Sequence, residues 1–296
     1  MFVPKKRTGA QALEIKLDYL VPAEDLSEYL TLFYSFHADV PVFEDTERAD
    51  YAQLRFLLSP GAGVYFFPDG NQQPATEIQI IGPTSGAMRI RAEGPVEAFG
   101  VGLTAAGWGA LIGIDASTMT NRAIDATTLF GAPALRAAWT ALRDTPDHEA
   151  RGAIMEPVMR DLLRAGDRGA GVFVRQVNDW LAGSPSPEME DLVQATRLSR
   201  RQVERKCKAL YGAPPKLLAR KFRALRAAVA LVSESESVDD LIARGFYDQS
   251  HLIREVKQFT GHTPRQIKAE PTLLSQLTIE RRTALGGQVS PLISDT

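Results

Sequence analysis

The sequence predicts an α+β protein, in which a barrel or sandwich of short strands with accessory helices precedes an all-α domain. Across residues 18–103, short runs with two-residue periodicity are separated by Gly/Pro turns; after Thr104 the apolar residues recur at helical spacing instead. Charge supplies a further sign. The 296-residue chain has a formal net charge of −2, yet within residues 196–226 eleven Lys/Arg face Glu204 alone. A solvated helix face ordinarily mixes signs, so this asymmetry points to a polyanionic partner.

Length suits two domains, and a composition of 44% hydrophobic and 24% charged residues is that of a globular protein. The expected division is a sensor or dimerisation domain over 1–165, a DNA-binding domain over 171–270 and a tail over 271–296, mobile beyond one short helix. The segment 171–270 holds 17 Lys/Arg and 12 Asp/Glu. The first twenty residues contain no apolar export segment, and no run approaches the roughly 20 apolar residues of a membrane helix, so the cytoplasm is the expected compartment. A single cysteine, Cys207, excludes an internal disulfide and a zinc site built on several thiolates.

In 29–37, Leu30, Leu32, Tyr34 and Phe36 alternate with Thr31, Phe33, Ser35 and His37, the period of a strand. Further strands are expected at 53–58, 64–67, 77–81, 87–93 and 96–103, punctuated by Ser59-Pro-Gly, Pro68-Asp-Gly-Asn and Gly82-Pro. Helices are expected at 105–112, 133–142 and 148–163. The last keeps Ile154, Val158 and Leu162 beside Met155 and Met159, a stripe suited to packing on the barrel or on a second subunit.

Beyond the break at 182–187, Met189, Leu192 and Val193 give residues 188–196 an apolar face. After a turn, Ser199-Arg-Arg-Gln202 has the Ser-x-x-Gln pattern of a capping box, which starts a helix by satisfying free backbone N–H groups. Val203, Cys207 and Leu210 then face inward, leaving Arg200, Arg201, Glu204, Arg205 and Lys208 outward. Gly212 ends that helix and Pro214-Pro215 opens the next, over 216–232, which buries Leu217, Leu218, Phe222, Leu225 and Val229 and presents Arg220, Arg223 and Arg226. A second unit follows: a short helix from Ser237, a turn at Arg244-Gly-Phe246, and a helix capped by Asp248 with Leu252, Val256 and Phe259 on its inner face.

Residues 241–267, with Ala-x-x-x-Gly-Phe at one end and Phe-x-x-x-Gly-x-x-Pro-type spacing at the other, resemble the second helix-turn-helix of AraC/XylS-type regulators. Residues 198–212 are similar to the recognition helix of the first unit. The family usually has phenylalanine where Cys207 stands and near Leu252 or Val256, which implies looser packing here. The resemblance implies a sequence-specific transcriptional regulator that reads two successive major-groove segments of double-stranded DNA with recognition helices about 34 Å apart. It places Arg201, Glu204, Arg205, Gln249, Ser250, His251 and Arg254 toward the groove. Arginine suits guanine and Gln249 suits adenine; Glu204 suits cytosine or pairs with Arg200 or Lys208 on its own helix. Arg200, Lys208, Arg220 and Arg223 are assigned to phosphates.

Ile81-Gly-Pro-Thr and the run 98–103 resemble the sensor halves of some members, which implies a cupin-like barrel. Tyr34, Phe36, Tyr65, Phe67 and Trp108 are candidates to line a ligand pocket, with ordinary core as their other reading. The partners in view besides DNA are an unknown small-molecule effector, a second copy of the chain and RNA polymerase, with no membrane. No cofactor, metal or catalytic residue is called for: His37 and His148, the two histidines before residue 250, have no metal-ligand spacing. The alternatives are an enzymatic barrel fused to a DNA-targeting module and an N-terminal domain that only dimerises.

Overall fold

The computed structural model describes residues 15–164, 169–269 and 271–296. The first fourteen residues and the junction at 165–168, where the export reading and the first domain boundary fall, lie outside them.

Among the described residues ten strands make two antiparallel sheets. They are β1 (Ile15–Leu20), β2 (Leu30–Ala38), β3 (Val42–Glu47), β4 (Ala52–Leu57), β5 (Gly63–Phe66), β6 (Gln72–Pro74), β7 (Ile78–Ile81), β8 (Met88–Glu93), β9 (Val96–Leu103) and β10 (Ala123–Asp125). One sheet runs β1-β2-β9-β4-β7-β10 and the other β3-β8-β5-β6. Leu17, Tyr34, Phe36 and Val96 of the first meet Phe43 of the second, and Ile81 meets Tyr65 and Met88, so the sheets face each other.

The outer face of the larger sheet is covered by helices α1 (Ala105–Leu111), α2 (Thr127–Phe130), α3 (Ala132–Arg143) and α4 (His148–Arg164). Phe33, Leu54, Phe56, Phe99 and Val101 share one core with Trp108, Leu135, Met155 and Met159. Both faces of β2 are therefore buried, and its simple alternation fails: the pairing with β9 slips between Leu30 and Phe33, which puts those two residues in the same outer core. The stripe on α4 is deepest at Met155, Met159 and Leu163, and it packs on β1 and β2.

The remaining helices are α5 (Gly171–Gly183), α6 (Met189–Thr196), α7 (Arg200–Tyr211), α8 (Pro215–Val232), α9 (Val238–Ala243), α10 (Gln249–Thr260), α11 (Pro264–Ala269), α12 (Leu273–Thr283) and α13 (Pro291–Ser294). Phe173, Val177, Leu192, Val203, Cys207 and Leu218 continue the core that lies under the larger sheet. Leu225, Leu231, Leu241, Phe246, Leu252, Val256 and Phe259 form a second core. The 18-residue helix α8 contributes to both, so one rigid rod joins them. The segment after residue 270 is an ordered pair of helices, and α12 lies against β1 and β3. Among the described residues no helix is long and apolar enough to cross a membrane.

Candidate nucleic-acid interface

The turn between α6 and α7 closes through Arg197 at φ 54°, a left-handed position that costs a non-glycine residue about 1 kcal/mol. Ser199 then caps α7: its hydroxyl accepts from the Gln202 amide while the Gln202 side chain accepts from the Ser199 amide. This fixes the rotation of α7. Val203, Cys207 and Tyr211 are buried, and Arg200, Arg201, Glu204, Arg205 and Lys208 are exposed. Arg200 lies 3.8 Å from Glu204 and 3.7 Å from Glu190, so its charge is shared with neighbours on the protein. Among the described residues neither Arg201 nor Arg205 joins an ion pair.

Leu210 is half-buried, and Gly212 at φ 75° ends the helix with its carbonyl accepting from Thr120 Oγ1 at 3.0 Å. The C-terminal end of α7 is thus held by the strand domain as well as by its own unit. Burial, with Glu204 adding to it, pushes the Cys207 thiol up to about 12. The native protein is therefore expected to resist iodoacetamide at pH 8 and to be labelled once unfolded in urea; labelling at equal rates in both states would contradict the inward placement.

In the second pair, Ser237 and Asp240 cap α9, and Phe246 seats in the core edge-on to His251, with ring centroids 5.7 Å apart. Asp248 accepts from the His251 amide at 2.7 Å and starts α10. Gln249, Ser250 and Arg254 are exposed. His251 is not available in the same way: Nδ1 accepts from the Tyr247 amide at 3.1 Å, which leaves Nε2 to donate to Glu255 at 3.0 Å.

Glu255 is the centre of this unit. It is 1% exposed, and Oε1 accepts from Arg220 Nε at 2.6 Å while Oε2 accepts from Arg223 Nη2 at 2.7 Å and Nε at 3.0 Å. Burial alone would raise its carboxyl; Arg220 and Arg223 outweigh that and hold it below the usual range. Arg220 and Arg223, expected to meet phosphates, are instead turned onto this carboxylate, and Arg223 keeps only 12% of its side chain exposed. Two exposed apolar groups escaped the sequence reading: Tyr247, 90% exposed in the turn before α10, and Ile253, 36% exposed on α10 itself. The turn position of Tyr247 gave a signal, since a ring there has no apolar neighbour at helical spacing.

Between the sheets lies a cavity of about 90 Å³ of water-accessible volume, room for roughly six waters. Tyr34, Phe36 and Tyr65 line it. Phe67 packs beside Ile81 and Met88, and Trp108 belongs to the outer core with Nε1 donating to the Ile114 carbonyl, so neither faces the cavity. Gly100 makes room for the Tyr34 ring, which a Cβ would overlap. Sequence reasoning missed the polar wall. Arg55 donates to Tyr34 Oη at 2.7 Å, Tyr65 Oη at 3.4 Å, Gln53 Oε1 at 2.7 Å and Glu47 Oε2 at 2.9 Å. Polar residues alternating with Leu54 and Phe56 on β4 were the available sign.

The strand domain and α10 also touch. The Ala49 amide donates to the Phe259 carbonyl at 2.7 Å and the Ala87 amide to the Gln258 carbonyl at 2.9 Å. Lys221 of α8 donates to the Asp50 carbonyl at 2.6 Å.

Residues 192–270 match a family model described as a helix-turn-helix domain, and residues 19–125 match one described as a domain of unknown function (DUF6597). No curated protein matches the chain. Among solved structures, an apo variant of ToxT from Vibrio cholerae aligns with a TM-score of 0.45 at 9% identity, over 79% of this chain and 96% of that one. ToxT from Vibrio cholerae with bound unsaturated fatty acid aligns with a TM-score of 0.44 at 9% identity, over 78% and 93%. The matched helices, their caps and their exposed basic faces agree on one assignment: residues 192–270 are a helix-turn-helix domain of the AraC type, the DNA-binding module of a transcriptional regulator.

Proposed function

We propose that the protein binds specific DNA sequences with α7 and α10 as recognition helices in successive major grooves, under the control of a small molecule held between the two sheets. The observation that carries the reading is the division of faces on the two helices. Val203 and Cys207 on α7, and Leu252 and Val256 on α10, are fully buried, while Arg201, Arg205, Gln249, Ser250 and Arg254 are exposed. Apolar packing on one side leaves those side chains the freedom to meet base edges on the other. Arginine offers guanine two parallel hydrogen bonds, worth about 1–3 kcal/mol of discrimination. Lys208 and Arg200 flank this face and suit phosphates. Tyr247 stands at the entry to α10, where a ring can lie on the sugar-phosphate backbone, and Ile253 suits a thymine methyl.

Arg205→Ala and Arg254→Ala each lower specific affinity by about 1–3 kcal/mol and relax one base position, the two positions lying about one helical turn apart. Binding titrations on duplexes randomised at single positions check this. Uniform weakening on every duplex, with no relaxed position, would mean that both arginines meet only phosphates.

A further inference from the structure

The cavity between the sheets is walled on one side by apolar groups, among them Leu17, Phe36, Phe43, Ile90 and Val96, and on the other by charge. Of the three arginines that line it, Arg55 is fully engaged with Glu47, Gln53 and two tyrosines. The other two are not. Arg48 Nε and Nη1 are sealed from solvent with no hydrogen-bond partner, and so is Nε of Arg282, which α12 carries to the cavity. Arg282 Nη2 donates to Asp50 Oδ2 at 2.5 Å.

The local balance of charge is uneven. Among the described residues Asp50 is the carboxylate that answers Arg48, Arg282 and Lys221 together; Glu47 is committed to Arg55. Burial raises the Asp50 carboxyl, but those three cations hold it well below the usual range. Burial and the neighbouring Arg282 bring Arg48 down to about 10, and burial brings Lys221 down to about 8. Guanidinium nitrogens sealed from solvent without an acceptor are among the more destabilising features a fold can retain, and they call for an anion.

We propose that this cavity binds a small amphipathic carboxylate, with its carboxylate group between Arg48 and Arg282 and its apolar body against Phe36, Phe43 and Val96, and that helix α12 completes the site. The inference rests on the reading that an effector acts through the strand domain, and it adds the class of molecule and the role of the C-terminal helix. An occupant shares Arg282 with Asp50, and the carbonyl of Asp50 holds Lys221 of the rod that joins the two helix pairs. The site therefore touches both the C-terminal helix and the DNA-binding domain through one residue.

The test uses the full chain and calorimetric titration with hexanoate and octanoate, against 1-hexanol and 1-octanol as equally long uncharged bodies. The expected result is binding of a carboxylate at least ten-fold tighter than its alcohol, and loss of that preference in Arg48→Gln. Because Arg48 Nε and Nη1 have no acceptor to lose and three cations share Asp50, Arg48→Gln is also expected to raise the ligand-free melting temperature. Equal binding of carboxylates and alcohols, or no binding of either carboxylate, overturns the proposal; the wild-type comparison stands even if a variant fails to fold. A lower melting temperature for Arg48→Gln overturns it too, by showing that the guanidinium is structural. Sequence selection on random duplexes with the same preparation separates the two readings. Selective DNA binding without carboxylate binding sinks only this inference, and the reverse sinks only the DNA reading.

Discussion

Replacing Glu255 with leucine destabilises the DNA-binding domain by about 3–5 kcal/mol, the range found when one member of a buried ion cluster is removed and its partners stay behind. The carboxylate is 1% exposed and accepts from Arg220, Arg223 and His251, so the substitution strands one well-buried guanidinium and one half-exposed one. Equilibrium unfolding in urea measures the loss. Affinity for DNA is expected to fall with it, since these contacts join helix α8 to α10, the proposed second recognition helix, and set how Gln249 and Arg254 are presented. Glutamine at 255 keeps the shape and part of the hydrogen bonding, so Glu255→Gln is expected to lose less. The carboxyl lies below its ordinary value in the fold, so its contribution is complete above the unfolded carboxylate range and disappears as pH falls through the folded value. A loss under 1 kcal/mol for Glu255→Leu would show that the cluster is dispensable. Arg223→Ala then acts mainly through this cluster, and its effect on DNA follows the stability of the second pair.

Asp50→Ala has an effect of the same size, about 3–5 kcal/mol, for a different reason. Asp50 is 9% exposed, pairs with Arg282 and lies among Arg48 and Lys221, so its removal leaves three buried cations with no carboxylate between them. Helix α12 is expected to detach first, because Arg282 and the Leu274 amide, which donates to Asp45 Oδ2 at 3.0 Å, anchor it to the strand domain. Hydrogen exchange along Leu273–Thr283 reads that detachment directly. In the Asp50→Ala background, Arg48→Gln restores part of the lost stability, since it removes one of the unmatched charges. Unchanged exchange in α12, or no recovery in the double variant, contradicts the charge balance described for the cavity.

Much of the fold was legible because local pattern and tertiary packing agree. The strands β4, β8 and β9 fall within a residue or two of their periodic runs, and α7 begins where its capping box places it. Other elements carried no such sign. Strand β3 reads Val-Phe-Glu-Asp-Thr-Glu, too acidic for an ordinary strand; it forms at a sheet edge, where Glu44 meets Arg89 and Arg91 of β8. The tail was expected to hold one short helix, but the docking of α12 on Asp45 and Asp50, far away in the chain, carried no local sign. The rotation of α7 followed from apolar spacing, which placed Arg201 and Arg205 outward; on α10 it was the family resemblance that turned Arg254 away from the core, and Arg254 is exposed. The inward turn of Arg220, Arg223 and His251 followed from neither, because a single glutamate on a helix gives no local sign that two guanidinium groups and an imidazole converge on it.

Selection of bound sequences from random duplexes, with the full chain at near-physiological salt, tests the central reading most directly. The expected product is a site with two preferred blocks about one helical turn apart, each losing one base preference in Arg205→Ala or Arg254→Ala respectively. Recovery of no preferred sequence, or of a single block indifferent to Arg254→Ala, would contradict recognition by both helices.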